Sequence, residues 1–138
     1  MKIKLTTDYA VRVICFIHKN SPGLITSNQI SLEENISHGV LMKVLKRLRE
    51  SGILHSHQGR GKISGGYTLE RSIKTMTVLD IIEIMEGKVV LENIGGKDHI
   101  QRGDDKILQE YRRMGQILRS EMNQKSLYEI LNENSEEV

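Results

Sequence analysis

Ser51-Gly52-Ile53-Leu54-His55-Ser56-His57-Gln58-Gly59-Arg60-Gly61-Lys62-Ile63-Ser64-Gly65-Gly66-Tyr67-Thr68-Leu69 decides the fold. Ile53–His57 and Gly66–Leu69 read as two strands paired across a glycine-rich turn that carries two cations. They follow directly on Val40-Leu41-Met42-Lys43-Val44-Leu45-Lys46-Arg47-Leu48-Arg49. There Val40, Leu41, Val44, Leu45 and Leu48 form one apolar stripe at helical spacing, while His38, Gly39, Met42, Lys43 and Lys46 occupy the other face, with Arg49 further along it. A basic amphipathic helix feeding a two-stranded wing is the layout of a winged helix-turn-helix that docks on duplex DNA.

Working outward, Thr6 or Thr7 is expected to cap a first helix reaching about Asn20, with Asp8 in its first turn and Ser21-Pro22-Gly23 at its end. Thr26 or Ser27 caps a short second helix to about Glu34, and Ser37 caps the third, with Gly52 as its C-terminal stop. Beyond the wing, Thr77 opens a fourth helix, Val78 to Glu86, that Gly87 ends. Lys88–Lys106 has little regular pattern. A long helix then begins at Asp104 or Asp105 and runs to about Asn123, and Ser126 caps a last short helix, Leu127–Leu131, before an acidic tail. The fold class is therefore mainly α with a small β-wing. Residues 1–75 form the winged helix-turn-helix, and residues 76–138 a linker helix, an effector-loop region and a long dimerisation helix.

Charge follows the same division. The chain of 138 residues carries a net charge of +2, yet residues 1–74 hold 12 Lys/Arg against 5 Asp/Glu and residues 75–138 hold 8 against 13. The balance of +7 on one part and −5 on the other concentrates an electrostatic footprint for a polyanion on the segment bearing the helix-turn-helix pattern. One cysteine, Cys15, excludes an internal disulfide framework and a four-cysteine zinc site, and suits a reducing cytosol. No run approaches the roughly 18 apolar residues that span a bilayer. The expected location is cytoplasmic.

The candidates for contact with DNA come from the recognition helix, about 37–51, and the wing, 57–66. Ser37, His38, Met42 and Lys43, near the helix start, are placed to enter the major groove, where base edges are read. Lys46 and Arg49 continue that face toward phosphates, and Arg60 and Lys62 put two cations at the wing tip. The run Gly59-Arg60-Gly61-Lys62-Ile63-Ser64 lacks the spacing of a phosphate-binding loop and leads into a strand rather than a helix. In the long helix Ile107, Tyr111, Met114 and Leu118 recur at four, three and four residues, with Leu108 and Ile117 flanking. This heptad-like seam suits pairing with a second copy, which would set two recognition helices about 34 Å apart on a palindrome.

No nucleophile–base pair or catalytic constellation is visible, so an enzyme is not expected. The five histidines show no metal-ligand spacing apart from His55-x-His57, and two histidines do not fill a zinc site. Cys15, among aliphatics, reads as a buried packing residue. The alternative to a DNA-binding regulator is a winged-helix protein–protein interaction module, which predicts little salt-dependent affinity for DNA.

Four blocks in order resemble the Rrf-type winged helix-turn-helix transcription regulators, the IscR/NsrR/CymR family. They are Leu5-Thr6-Thr7-Asp8-Tyr9-Ala10-Val11-Arg12, Arg47-Leu48-Arg49-Glu50-Ser51-Gly52-Ile53-Leu54, Gly65-Gly66-Tyr67-Thr68-Leu69 and Ile81-Ile82-Glu83-Ile84-Met85-Glu86-Gly87. The match covers roughly residues 1–90, and the opening block with Met42-Lys43 is most similar to the nitric-oxide-responsive branch. The resemblance implies a homodimeric, cytosolic bacterial DNA-binding regulator, usually a repressor, responding to an effector. It also implies that Tyr9 lies close to DNA, with Lys2 and Lys4 supporting it. Sensing members hold an iron–sulfur cluster with three cysteines between the fourth helix and the long helix, and here Lys88–Lys106 contains none. Asp8 matches a position that supplies a non-cysteine ligand in some relatives, and His99 lies in the loop, but the resemblance then implies a member without a cluster and no cofactor or metal. Met42 stands where many members carry Glu, and the wing has extra residues, so the family's operator sequence does not carry over.

Overall fold

The structure, a computed structural model, describes residues 2–62, 65–91 and 105–133. The expectations for His99, for the rest of 92–104, for the wing at 63–64 and for the tail beyond 133 lie outside the described residues. The elements are α1 (Leu5–Lys19), α2 (Ser27–Glu34), α3 (His38–Glu50), β1 (Leu54–His57), β2 (Gly66–Leu69), a 3-10 turn (Ile73–Thr75), α4 (Val78–Glu86), α5 (Lys106–Met122) and α6 (Leu127–Leu131).

The core is aliphatic and gathers one stripe from each element. Ala10, Val13, Ile14 and Ile17 of α1 meet Ile30 of α2 and Leu41, Val44, Leu45 and Leu48 of α3, and Ile53, Leu54, Ile73, Met76 and Ile81 close it, all nearly or fully buried. Burying each such Leu or Ile contributes about 1.5–3 kcal/mol relative to leaving it in water. The stripe of α3 therefore fixes that helix about its axis and dictates which side chains face outward.

Both turns around α3 have a chemical cause. Thr26 and Gln29 form a capping box at the start of α2, and Asn35 ends that helix at φ 52°, with the Ile36 amide donating to the Ser31 carbonyl. At the end of α3, Gly52 takes φ 82°, the Ile53 amide reaches the Leu48 carbonyl and the Gly52 amide the Arg49 carbonyl. This two-bond closure needs a left-handed residue, which glycine supplies without steric cost.

The wing begins one residue later than the pattern predicts, at Leu54 rather than Ile53, because Ile53 is held in that helix closure. β1 and β2 pair antiparallel, with Leu54 opposite Leu69, His55 opposite Thr68, Ser56 opposite Tyr67 and His57 opposite Gly66. Ile25 adds a bridge on the far side, its amide and carbonyl exchanging bonds of 3.2 and 2.8 Å with Tyr67. The chain is crowded here. A Cβ on Gly65 would lie 2.3 Å from the His57 carbonyl oxygen, which excludes a side chain there, and one on Gly66 would lie 3.0 Å from that of Ile25, a tight fit that would make the neighbouring segment give way.

α4 follows its expected bounds, with Thr77 and Asp80 forming a capping box and Gly87 ending it at φ 96°. α5 lies against α4: Arg119 pairs with Glu83 at 2.6 Å, and buried Gly115 admits Leu91 to the helix backbone. The chain then turns back. The Leu127 amide donates to the Met76 carbonyl at 2.7 Å, and Ser126 bridges Thr77. Among the described residues no helix is long and apolar enough to cross a membrane.

α1 departs from expectation at its start. It begins at Leu5, with Lys4 in the capping position and no side-chain cap of its own. Thr7, expected as a cap, is fully buried and donates through Oγ1 to Glu86 of α4 at 2.7 Å, and the same carboxylate accepts from the Lys4 amide at 3.2 Å. A carboxylate from a distant helix takes the amide of the N-cap residue, the bond that a Glu or Gln three residues on makes in a capping box.

Candidate nucleic-acid interface

Because Leu41, Val44, Leu45 and Leu48 are buried, the opposite side of α3 is forced outward. His38, Met42, Lys46 and Arg49, spaced by four, four and three residues, share that face and are all exposed. Lys43 flanks it, also exposed. Ser37 takes the capping position of α3 but makes no capping hydrogen bond with its side chain, which leaves the hydroxyl available on the surface. Lys46 lies 4.0 Å from Glu50, a solvent-exposed pair of little energetic weight, so its charge stays available.

Two clefts tie these residues to their neighbours. Met42, Lys46 and Arg49 line one together with Tyr67 of β2, joining the exposed face of α3 to the base of the wing. Tyr9 and Ser37 line another with Leu5, Thr6, Leu32 and Asn35, joining the start of α1 to the start of α3. Arg60 and Lys62 are exposed at the wing tip, where Gly61 adopts φ 61°. Lys4 is exposed at the opening of α1. The ten candidates are thus distributed over three adjoining parts: the start of α1, the outward face of α3 and the wing.

Two residues escaped the sequence reading. Arg47 is not part of the outward face; its Nε donates to the Ile84 carbonyl of α4 at 3.1 Å, fastening α3 to α4. Its position on the helical wheel, far round from Lys46 and Arg49, was the available signal. Tyr67 sits in the cleft with Met42 through a register that only strand pairing sets.

On α5 the apolar side chains are unusually open: Ile107 is 62% exposed, Tyr111 41%, Met114 46% and Ile117 51%. Leu108 and Leu118 are half-buried. Arg119 instead faces α4 through Glu83, and Gly115 receives Leu91.

A family model described as Rrf2, iron-dependent transcriptional regulator, matches residues 3–133. The chain belongs to the Rrf2 family. Within the Rrf2 family it is 32% identical over 87 residues to the HTH-type transcriptional regulator NsrR of Bacillus subtilis, covering 62% of this chain and 58% of that protein. It is 30% identical over 105 residues to IscR of Escherichia coli, covering 75% of this chain and 63% of IscR. The chain therefore aligns with somewhat less than two thirds of the length of these curated relatives. Among solved structures, a transcriptional regulator from Listeria innocua superposes with a TM-score of 0.72 at 28% identity, covering 100% of this chain and 92% of that one. CymR of Bacillus subtilis superposes with a TM-score of 0.69 over 94% of this chain and 95% of its own, and its 21% identity speaks to the fold alone. These are regulators of the winged-helix fold, and the Rrf2 family is not a family of enzymes.

The iron–sulfur cluster that IscR and NsrR relatives can bind does not fit the donors present. The single cysteine, Cys15, lies within α1 among Val11, Phe16, Val78 and Leu127, half-buried where the sequence pattern suggested a buried packing residue. Asp8 is engaged by Arg12, whose Nε stands 2.8 Å from its carboxylate. Among the described residues no group of three or more His, Cys, Asp or Glu side chains is placed to hold a metal ion.

Proposed function

We propose that this protein is a cytoplasmic transcription regulator, acting as a repressor, that binds a palindromic operator as a homodimer. The observation that carries the reading is the outward face of α3, with His38, Met42, Lys46 and Arg49 exposed in a row and the cation-bearing wing beside it. In the proposed complex Ser37, His38, Met42 and Lys43 meet base edges in the major groove, and Lys46, Arg49, Arg60 and Lys62 meet phosphates. Lys4 and Tyr9 reach the flanking backbone from α1. The exposed Ile107, Tyr111 and Met114, with Leu118, pair with the same seam of a second copy and space the two recognition helices by about one helical turn of DNA, roughly 34 Å. The names of NsrR and IscR, both HTH-type transcriptional regulators, support the same assignment.

Selection of bacterial genomic fragments by the purified protein, followed by binding assays across a salt series, tests it. The expected result is a palindrome with two half-sites and an affinity that falls steeply with salt, since each phosphate contact contributes about 0.9 to the log–log slope. Recovery of no enriched sequence at low salt, together with a flat salt dependence, would overturn the reading in favour of a protein-binding module.

A further inference from the structure

His55 and His57, two residues apart on β1, point to the same side of the wing, their ring centroids 4.4 Å apart and their planes inclined at 70°. Each ring already has one nitrogen held. Nδ1 of His55 lies 3.0 Å from the Glu70 carboxylate, and Nε2 of His57 lies 2.8 Å from the Thr68 hydroxyl. Among the described residues the remaining nitrogens, Nε2 of His55 and Nδ1 of His57, have no hydrogen-bond partner in the protein. His55 is well exposed and His57 partly so. A wing needs neither imidazole for its pairing, which is carried by the backbone.

The geometry points to a binding site for a late first-row divalent cation, Cu(II) before the others, held by these two imidazoles and completed by water. A metal about 2.0 Å from a ring nitrogen sits about 3.2 Å from that ring's centroid, so two imidazoles at roughly 90° around one ion have centroids about 4.5 Å apart. The observed 4.4 Å meets that separation. A right angle between ligands belongs to tetragonal Cu(II) and Ni(II), whereas zinc prefers the wider angles of a tetrahedral set. The held nitrogens match what metal-bound histidines require: an acceptor on the far nitrogen that fixes the tautomer and aims the other at the ion. Glu70 supplies it for His55, and the Thr68 hydroxyl would accept in the same way from His57 once its other nitrogen held the ion. The ion would add positive charge beside the wing, on the basic part of the chain.

Titration of the full-length, metal-free protein with Cu(II), followed by electron paramagnetic resonance and by competition with a chelator of known affinity, tests the site. The expected result is one tight equivalent with tetragonal parameters and two imidazole nitrogens coupled to it, weaker binding of Ni(II), and weaker binding again of Zn(II). His55→Gln and His57→Gln should each lower the Cu(II) affinity by more than about tenfold, and Glu70→Gln by about tenfold through the loss of its orienting bond. His18→Gln and His38→Gln should leave it within twofold. The positions are on a surface strand, so circular dichroism of each variant should match the wild type and separates ligand loss from misfolding. Wild-type affinity retained by the correctly folded His55→Gln/His57→Gln double variant, or a spectrum without coupled imidazole nitrogens, would overturn the assignment.

Discussion

The Glu86 carboxylate accepts a 2.7 Å hydrogen bond from the buried Thr7 hydroxyl, joining the last turn of α4 to the first turn of α1. Lys4, the N-cap residue, donates its amide to the same carboxylate at 3.2 Å, so Glu86 ties down the start of α1 although no side chain caps its first-turn amides. Thr7→Val keeps the shape of the side chain and removes the donor. The expected loss is about 1–2 kcal/mol of unfolding free energy, the cost of breaking a buried hydrogen bond to a charged group. Urea unfolding checks it, and a variant as stable as the parent would show that the bond contributes nothing net.

Arg47 and its neighbours Lys46 and Arg49 look alike in sequence and separate in the structure. Arg47 donates to the Ile84 carbonyl, whereas Lys46 and Arg49 face outward with Met42. Arg47→Met retains the apolar stem and is expected to cost about 0.5–1 kcal/mol of stability while leaving the salt slope of DNA binding unchanged. Lys46→Ala or Arg49→Ala should do the reverse, lowering the slope by about 0.9 with stability within about 0.5 kcal/mol. Anisotropy titrations at several salt concentrations, paired with melting curves, separate the two classes. Equal effects from all three would remove the distinction.

Local chemistry explains why much of this fold could be read from sequence. Thr77 before an apolar run and Gly87 after it fix the bounds of α4, and Ser126 does the same for α6, because caps and stops act within one turn of the residue that makes them. The stripe of α3 likewise determines its outward face. The start of α1 could not be read that way: the group that ties it down is Glu86, 79 positions from Thr7, and no local pattern encodes that contact. Tyr67 joined the candidate site for the same reason, since its place beside Met42 depends on strand register and on the bridge to Ile25.

Cys15 lends itself to a chemical test. Burial pushes its thiol above the ordinary range, with Lys19 opposing and Glu34 reinforcing the shift. A raised thiol holds less reactive thiolate near neutral pH, so the native protein should react with a disulfide reagent more slowly than the urea-unfolded chain, with the rate climbing as pH rises. The sign for stability follows. The neutral thiol is favoured in the fold, so its contribution is present below the unfolded value and is lost as pH rises through the folded one. Equal rates for folded and unfolded protein would show that Cys15 is not shielded.

The seam on α5 makes the strongest demand on the proposed assembly. Ile107, Tyr111, Met114 and Ile117 leave a row of apolar surface in water, at about 25 cal/mol for each Å² that a partner could cover. A flank of the helix is already committed, Arg119 to Glu83 of α4 and Gly115 to Leu91, so charges placed at the open Ile107 and Met114 should leave the chain's own packing intact. Ile107→Glu combined with Met114→Glu would bring buried carboxylates into a symmetric interface, where the two-fold makes each substitution count twice. The double variant should sediment as a monomer, keep the helical spectrum of the parent, and lose operator affinity by at least about a hundredfold, because the second recognition helix no longer arrives with the first. A parent protein that is itself monomeric at micromolar concentration would defeat the dimer. A double variant that stays dimeric would move the interface away from this face of α5.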